Sequence, residues 1–365
     1  MKDPLYFPRT ELASALLASL KASITHAFTL FAPRRMGKTE FLINDIAPLA
    51  EKDGFNVFYF SFMDGNSANN ADESFHQALH QFAQEIRTGN GVKTLFSSFT
   101  KIDLLGVGLE RTLSEKTLPN ISEIIACIAA DNRPSLLLLD EVQELARIPN
   151  TSYLIRSLRT GLDLNKNRVK TIFTGSSTNG LRMMFNDVKA PFFHFAHALD
   201  FPNLDQYFTD FLADVYQERM GKSLDKHALY AVFERLNYTP MYMRAIIQDM
   251  IINPALSLEK AAQIRLEQMQ ESGNFTAQWR ELTAIEQFTL LAIAKGQSAV
   301  YGADFREQMA EILGVEEIKV STMQSTIRKL QRKDLISKTS HGVLHINSPL
   351  LHTWIIENVE STHLA

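Results

Sequence analysis

Between Arg9 and Ile24 apolar residues recur at helical spacing, at Leu12, Leu16, Leu17, Leu20 and Ile24, which predicts an amphipathic helix. A short apolar run follows, His26 to Phe31, and reads as a buried strand. Four more such runs recur along the first 200 residues: Phe55 to Phe62, Ser135 to Leu139, Val169 to Thr174 and Phe192 to Leu199. Helical patterns separate them at Glu40 to Glu51, Ala71 to Arg87, Ile121 to Ala130 and Ser152 to Leu162. Strands that are apolar throughout and alternate with helices predict an α/β fold, a parallel sheet with helices on both faces.

The pattern changes after Phe201-Pro202. Helical spacing alone continues to about Gly273, and from Trp279 three helices lead into a hairpin, Asp334 to Ile346, with His341-Gly342 at its turn, and then a last helix, Pro349 to Ile356. The expected organisation is therefore three domains: the α/β domain over 1–200, an all-helical domain over 201–275 and a helix-hairpin module over 276–365. A length of 365 residues accommodates them. Gly89 to Pro119, with four glycines and little periodicity, reads as an insertion.

Composition narrows the classes. Apolar residues at 45% and charged residues at 21% describe a globular chain, and a net charge of −4 excludes coating nucleic acid by bulk charge. The one cysteine, Cys127, permits no internal disulfide and no cysteine zinc cluster. No run approaches the ~18–20 apolar residues that span a bilayer, and the first ten residues lack a signal pattern, so no membrane partner and a cytoplasmic location are expected. His194 and His197, three apart in the expected fifth strand, point to opposite faces and make no zinc site.

The chemistry gathers after the first strand. Ala32-Pro33-Arg34-Arg35-Met36-Gly37-Lys38-Thr39, continuing into Glu40, fits a phosphate-binding loop with Ala in first place, between a strand and a helix. Backbone N–H groups there face a triphosphate, Gly37 permits close approach, Lys38 reaches the outer phosphates, and the Thr39 hydroxyl binds Mg²⁺. About a hundred residues on, four leucines lead into Asp140-Glu141. An apolar strand ending in two acids lets Asp140 hold Mg²⁺ through water and Glu141 polarise an attacking water.

Together with Phe7-Pro8-Arg9-Thr10-Glu11-Leu12, Leu139-Asp140-Glu141-Val142-Gln143-Glu144-Leu145 and Thr174-Gly175-Ser176-Ser177, this loop resembles the archaeal-type ATPases of the AAA+/STAND class, related to the origin-recognition ATPases. The resemblance covers roughly residues 5 to 355 and implies ATP or ADP with Mg²⁺ as ligands, a helical lid and a C-terminal winged helix. It also implies roles. Phe7 and Arg9 would lie near the adenine, with Arg9 anchoring the segment. Ser176, or its neighbour Ser177, would sense the γ-phosphate. Arg244, within Asn237 to Arg244, would face the γ-phosphate from the lid; its plainer alternative is a solvent-exposed ion pair with Asp249 or another acid. Relatives commonly carry a Gly-Arg pair near the fifth strand whose Arg acts on a neighbouring subunit, but Ala190 to Phe195 holds none. Hydrolysis driven by an oligomer would need Arg182, Arg156 or Arg159 instead.

The C-terminal module departs from the acidic balance. Ile318 to Lys338 holds six basic residues against Asp334 alone. In the helix over about Ser321 to Lys333, Met323, Ile327 and Leu330 share one face, leaving Arg328, Lys329, Arg332 and Lys333 outward. An apolar seam with a basic outer face suits a recognition helix on duplex DNA. A winged helix also docks protein partners, and both readings stand at this level.

Overall fold

The computed structural model describes residues 3–63, 71–88, 95–96, 119–146, 151–175, 184–185, 190, 192–272, 275–297, 299–338 and 343–359. The chain divides into two compact units, one spanning Pro8–Pro202 and the other Met1–Phe7 with Asn203–Ala365.

The Pro8–Pro202 unit is a parallel sheet in the order β3-β2-β4-β5-β1-β6. Its strands are β1 (Ala27–Phe31), β2 (Asn56–Ser61), β3 (Leu95–Phe96), β4 (Ser135–Asp140), β5 (Val169–Gly175) and β6 (His197–Asp200). Every residue of β1, β4 and β5 is buried, which is why their sequences run apolar instead of alternating. Successive residues serve opposite layers. Leu137 and Leu139 join one core with Phe58, Phe75, Phe82, Ile125 and Leu158, while Leu136 and Leu138 join the other with Leu16, Leu17, Leu42 and Ile46.

The first layer is covered by α4 (Ala71–Thr88), α5 (Ile121–Ala129) and α6 (Ser152–Leu164). The second is covered by α1 (Thr10–Lys21) and by the helix after the phosphate loop. That helix runs in three segments: α2 (Lys38–Phe41), a π-helical turn Leu42–Ile46, and α3 (Ala47–Lys52). The strand expected over Phe192 to Leu199 is corrected: it begins only at His197, and the residues before it form turns. Phe192 and Phe195, three apart, are both buried against Phe173, at 5.4 and 6.2 Å between ring centroids. An extended strand would send them to opposite faces, so the backbone turns instead, with His194 in the left-handed region at φ 52°. Of the expected insertion over Gly89 to Pro119, only Leu95–Phe96 and Pro119 lie among the described residues.

The second unit holds two hydrophobic cores. One gathers α7 (Gln206–Met220), α8 (Lys226–Arg235), α9 (Pro240–Ile252) and α10 (Leu258–Ser272), with Leu5 and Phe7 from the N-terminal segment packed into it. Asp205 and Asp225 cap α7 and α8 through their carboxylates. The other core gathers α11 (Phe275–Arg280), α12 (Ala284–Ala294), α13 (Ala303–Leu313), α14 (Val320–Arg332), the antiparallel pair β7 (Ile336–Lys338) and β8 (Leu344–Ile346), and α15 (Pro349–Asn358). Met323, Ile327 and Leu330 are buried at 0–1% exposure, as their spacing predicts. The hairpin turn at His341-Gly342 lies outside the described residues.

Candidate functional site

The phosphate loop leaves β1 at Ala32 and closes onto α2. Arg35 at φ 71° and Gly37 at φ 85° both take the left-handed conformation, curling the chain so that α2 can begin at Lys38. A turn of this kind presents successive N–H groups as an anion cradle, and the helix N-terminus adds its dipole. Arg34, Arg35, Thr39 and Glu40 are exposed, whereas Met36 packs into the core at 4% exposure.

Lys38 is the buried cation of the loop. Its Nζ donates to the carbonyls of Ala32 at 2.7 Å and Pro33 at 2.8 Å, so the side chain folds back over the loop it follows. Burial lowers its pKa to about 8; Glu141 and Asp140 oppose that shift, and Arg34 adds to it. A lysine held this way is electrostatically undersupplied with negative charge, the condition that a phosphate relieves.

Asp140 ends β4 and collects donors from four directions. Its Oδ2 accepts from the Thr39 hydroxyl at 2.5 Å and the Tyr59 hydroxyl at 3.2 Å. Its Oδ1 accepts from the Thr174 hydroxyl and from the Glu141 N–H, the latter at 3.0 Å. These donors come from α2, β2, β5 and the end of β4. Tyr59 and Thr174 were not singled out by the sequence, because an aromatic and a threonine inside apolar strands look like core.

Glu141 sits at φ 54° with 9% exposure, a left-handed position that is uncommon for a residue other than glycine. A short 3₁₀ turn, Val142–Ala146, begins directly after it. The Gln143 side chain, 1% exposed, donates through Nε2 to Glu141 Oε2 at 2.5 Å and to Glu144 Oε1 at 3.3 Å.

Arg9 caps α1 and touches the loop. Its guanidinium donates to the carbonyls of Pro202 at 2.6 Å and Met36 at 3.5 Å, and lies 4.2 Å over the Phe201 ring. Its backbone N–H donates to Asp45 at 3.0 Å, a residue of the π-helical turn that the sequence did not flag. Phe7 packs on Phe208 and Phe211 in the other unit's core. Arg244 pairs there with Asp3, an acid other than Asp249 as the plainer alternative also allowed, and Asp249 is held by a two-point contact from Arg265 at 2.6 Å each. Ser176, Ser177 and Arg182 lie outside the described residues. Arg159 pairs with Asp163 at 3.1 Å and lies 4.2 Å over the Phe195 ring; Arg156 is exposed.

On α14, Arg328, Lys329 and Arg332 are exposed. Lys333 differs, donating to Glu286 at 3.2 Å. Glu286 is 2% exposed and closes the capping box of α12 with Thr283. Burial pushes the Glu286 carboxyl up, but the Thr283 N–H and the Lys333 ammonium outweigh it and hold it below the usual carboxylate range.

No family model matches the chain, and no curated protein matches it in sequence. Solved structures do match. A Walker-type ATPase of Pyrococcus abyssi superposes with a TM-score of 0.64 at 16% identity, covering 95% of each chain. The ORC2 protein of Aeropyrum pernix in its ADP form gives a TM-score of 0.56 at 15% identity, covering 100% of this chain and 97% of that one. The same protein in ADPNP-ADP complexes gives 0.52 at 16% identity, covering 97% and 96%. The chain thus shares the fold of an archaeal P-loop ATPase and of an origin-recognition protein. No described helix is long and apolar enough to cross a membrane.

Proposed function

We propose that the protein is a Mg²⁺-dependent ATPase of the AAA+/STAND type that couples its nucleotide state to a C-terminal winged helix acting on duplex DNA. The observation that carries the ATPase reading is the hydrogen bond from Thr39 to Asp140, which brings together two groups 101 residues apart in the chain, beside a buried Lys38. A hydroxyl and a carboxylate in contact are oxygen donors of the kind Mg²⁺ prefers, and Thr39 and Asp140 would hold it, Thr39 through its hydroxyl and Asp140 through water. Bound there, Mg²⁺ would neutralise charge on the β- and γ-phosphates.

The protein's own groups take the remaining tasks. The loop N–H groups and Lys38 hold the phosphates, and Glu141 polarises the attacking water. Ser176 and Arg244 are assigned to sensing the γ-phosphate, and Phe7 and Arg9 to the adenine side. On α14, Arg328, Lys329 and Arg332 meet the DNA phosphates, with Lys333 contributing more to the fold. The matched structures, an ATPase and a protein seen with ADP and ADPNP, agree with nucleotide binding.

A second reading is favoured by the arginines. Ala190 to Phe195 contains none, and Arg159 is committed to Asp163. A chain that binds ATP tightly, turns it over slowly and presents its winged helix to a protein partner would have this arrangement. Steady-state hydrolysis by the wild type and Lys38→Ala, each with and without duplex DNA at low salt, separates the two. Turnover abolished by Lys38→Ala and raised by DNA supports the first; tight ATP binding without turnover in either condition supports the second.

A further inference from the structure

A regular helix does not bring side chains two residues apart together, since only neighbours at three and four positions share a face. Glu141 and Gln143 nevertheless meet at 2.5 Å. The left-handed backbone of Glu141 makes this possible, by turning the chain between the extended Asp140 and the 3₁₀ turn that starts at Val142. For a residue with a Cβ such a conformation is strained and persists only where its surroundings enforce it. Here the Glu141 N–H is held by Asp140, the Glu141 carbonyl accepts from Glu144 N–H at 3.0 Å, and the side chain is held by Gln143.

The amide that does the holding is itself unusual. Gln143 is 1% exposed, and its carbonyl oxygen Oε1 is buried with no hydrogen-bond donor among the described residues. Leaving such an oxygen unmatched is unfavourable, because it loses its hydration without gaining a donor. An apolar side chain would fill this place in the core between Val142 and Leu145, both fully buried, without that cost. What the glutamine supplies that an apolar side chain would not is the Nε2 donor to Glu141.

We infer that Gln143 is a positioning residue for hydrolysis, which fixes the Glu141 carboxylate in the orientation that polarises the attacking water. It exchanges no proton itself and acts only through Glu141. The inference rests on the proposed role of Glu141 as the group that takes the water's proton. It assigns to Gln143 the rotational restraint that a carboxylate on a flexible two-methylene stem lacks.

The test is single-turnover ATP hydrolysis, with the full chain in excess over ATP and Mg²⁺ present, in wild type, Glu141→Gln, Gln143→Met and the double variant. Affinity for a fluorescent ATP analogue and the melting temperature are read on the same samples. Gln143→Met keeps the length of the side chain and removes the donor. It is expected to leave nucleotide affinity and melting temperature nearly unchanged while the rate falls by about tenfold. In the Glu141→Gln background the same change is expected to cost nothing further, because the two residues act as one unit.

An unchanged or faster rate in Gln143→Met overturns the inference and leaves the ATPase reading standing. Losses that multiply in the double variant also overturn it, since they mark an independent structural role. Wild-type hydrolysis that persists in Glu141→Gln, or is absent from the start, overturns the role of Glu141 and the inference with it. Should Gln143→Met fail to fold, Gln143→Leu takes its place with the same outcomes expected, as it too removes the donor and brings no charge into the buried site.

Discussion

The Thr39 hydroxyl donates to the Asp140 carboxylate at 2.5 Å, joining the first turn of the helix after the phosphate loop to the end of β4. Thr174 of β5, which lies between β1 and β4, donates to the same carboxylate. Thr39→Ala should therefore weaken Mg²⁺-dependent binding of ATP by roughly tenfold or more, the value of about one charge-assisted hydrogen bond, with little effect on binding in the presence of a chelator. Titration of a fluorescent ATP analogue with and without Mg²⁺ measures it.

Tyr59 and Thr174 donate to the same carboxylate. Tyr59→Phe removes one donor from a charged, buried acceptor and should lower unfolding free energy by about 1–2 kcal/mol. Chemical denaturation, read as a shift of midpoint at constant slope, checks this; an unaltered midpoint would mean that water replaces the hydroxyl.

Lys38 gives a pH dependence with a definite sign. Its pKa lies near 8 in the nucleotide-free protein against an ordinary 10.5, so above about pH 8 it is increasingly neutral and holds phosphate poorly. ATP affinity should fall as pH rises from 8 toward 10, and binding within that window should take up a proton. Calorimetry in two buffers of different ionisation enthalpy detects the uptake. For folding the sign is opposite to that of a stabilising lysine: the unfolded chain holds this proton up to a higher pH, so the burial penalty is present below pH 8 and lifts between about 8 and 10.5.

The four basic residues of α14 and its C-terminal cap should separate into two groups. Arg328→Ala and Arg332→Ala are expected to reduce duplex affinity without loss of stability, and each should lower the salt dependence of binding by about one ion. Lys333→Ala is expected to do the reverse, costing up to about 1 kcal/mol of stability, because the 2%-exposed Glu286 loses a cation that is itself 43% exposed and screened by water. The depressed Glu286 carboxyl contributes stability above the ordinary glutamate pKa that is lost as pH falls through its folded value, so this difference should shrink in acid. Duplex binding at several salt concentrations and melting at two pH values decide between the groups.

Glu141→Gln should retain ATP and slow turnover by about a hundredfold or more, leaving a residual single-turnover rate and a long-lived complex visible as co-elution of nucleotide with protein. A variant that releases ATP as fast as the wild type would count against the role of Glu141.

Several of these residues are legible in the sequence, because their signals are local. A strand, a loop ending in Gly37-Lys38-Thr39 and a helix follow one another within about 25 residues, and the leucine run into Asp140-Glu141 marks a buried strand with acids at its mouth. The seam of Met323, Ile327 and Leu330 can likewise be counted off by helical period. Where local pattern and packing conflict, the pattern misleads: Phe192 to Ala196 has the aromatic density of a strand, but two of its phenylalanines share one core and force a turn. Lys333 looks like its basic neighbours in the sequence, and only folding sets it beside the buried Glu286, 47 residues earlier.

The sequence by itself determined four of the sheet's strands and most of the helices, the identity of the phosphate loop and the pair of acids, since each depends on residues close together in the chain. Only the tertiary structure decided the order of the strands, and with it which groups surround Asp140. Parallel neighbours are joined by crossovers that leave their order open, so nothing near Tyr59 or Thr174 announces that both will face one carboxylate. It likewise took the folded backbone, turned left-handed at Glu141, to set Gln143 against the residue two places before it. Such contacts depend on strand register and on a single unusual dihedral, and neither leaves a periodic trace in the order of amino acids.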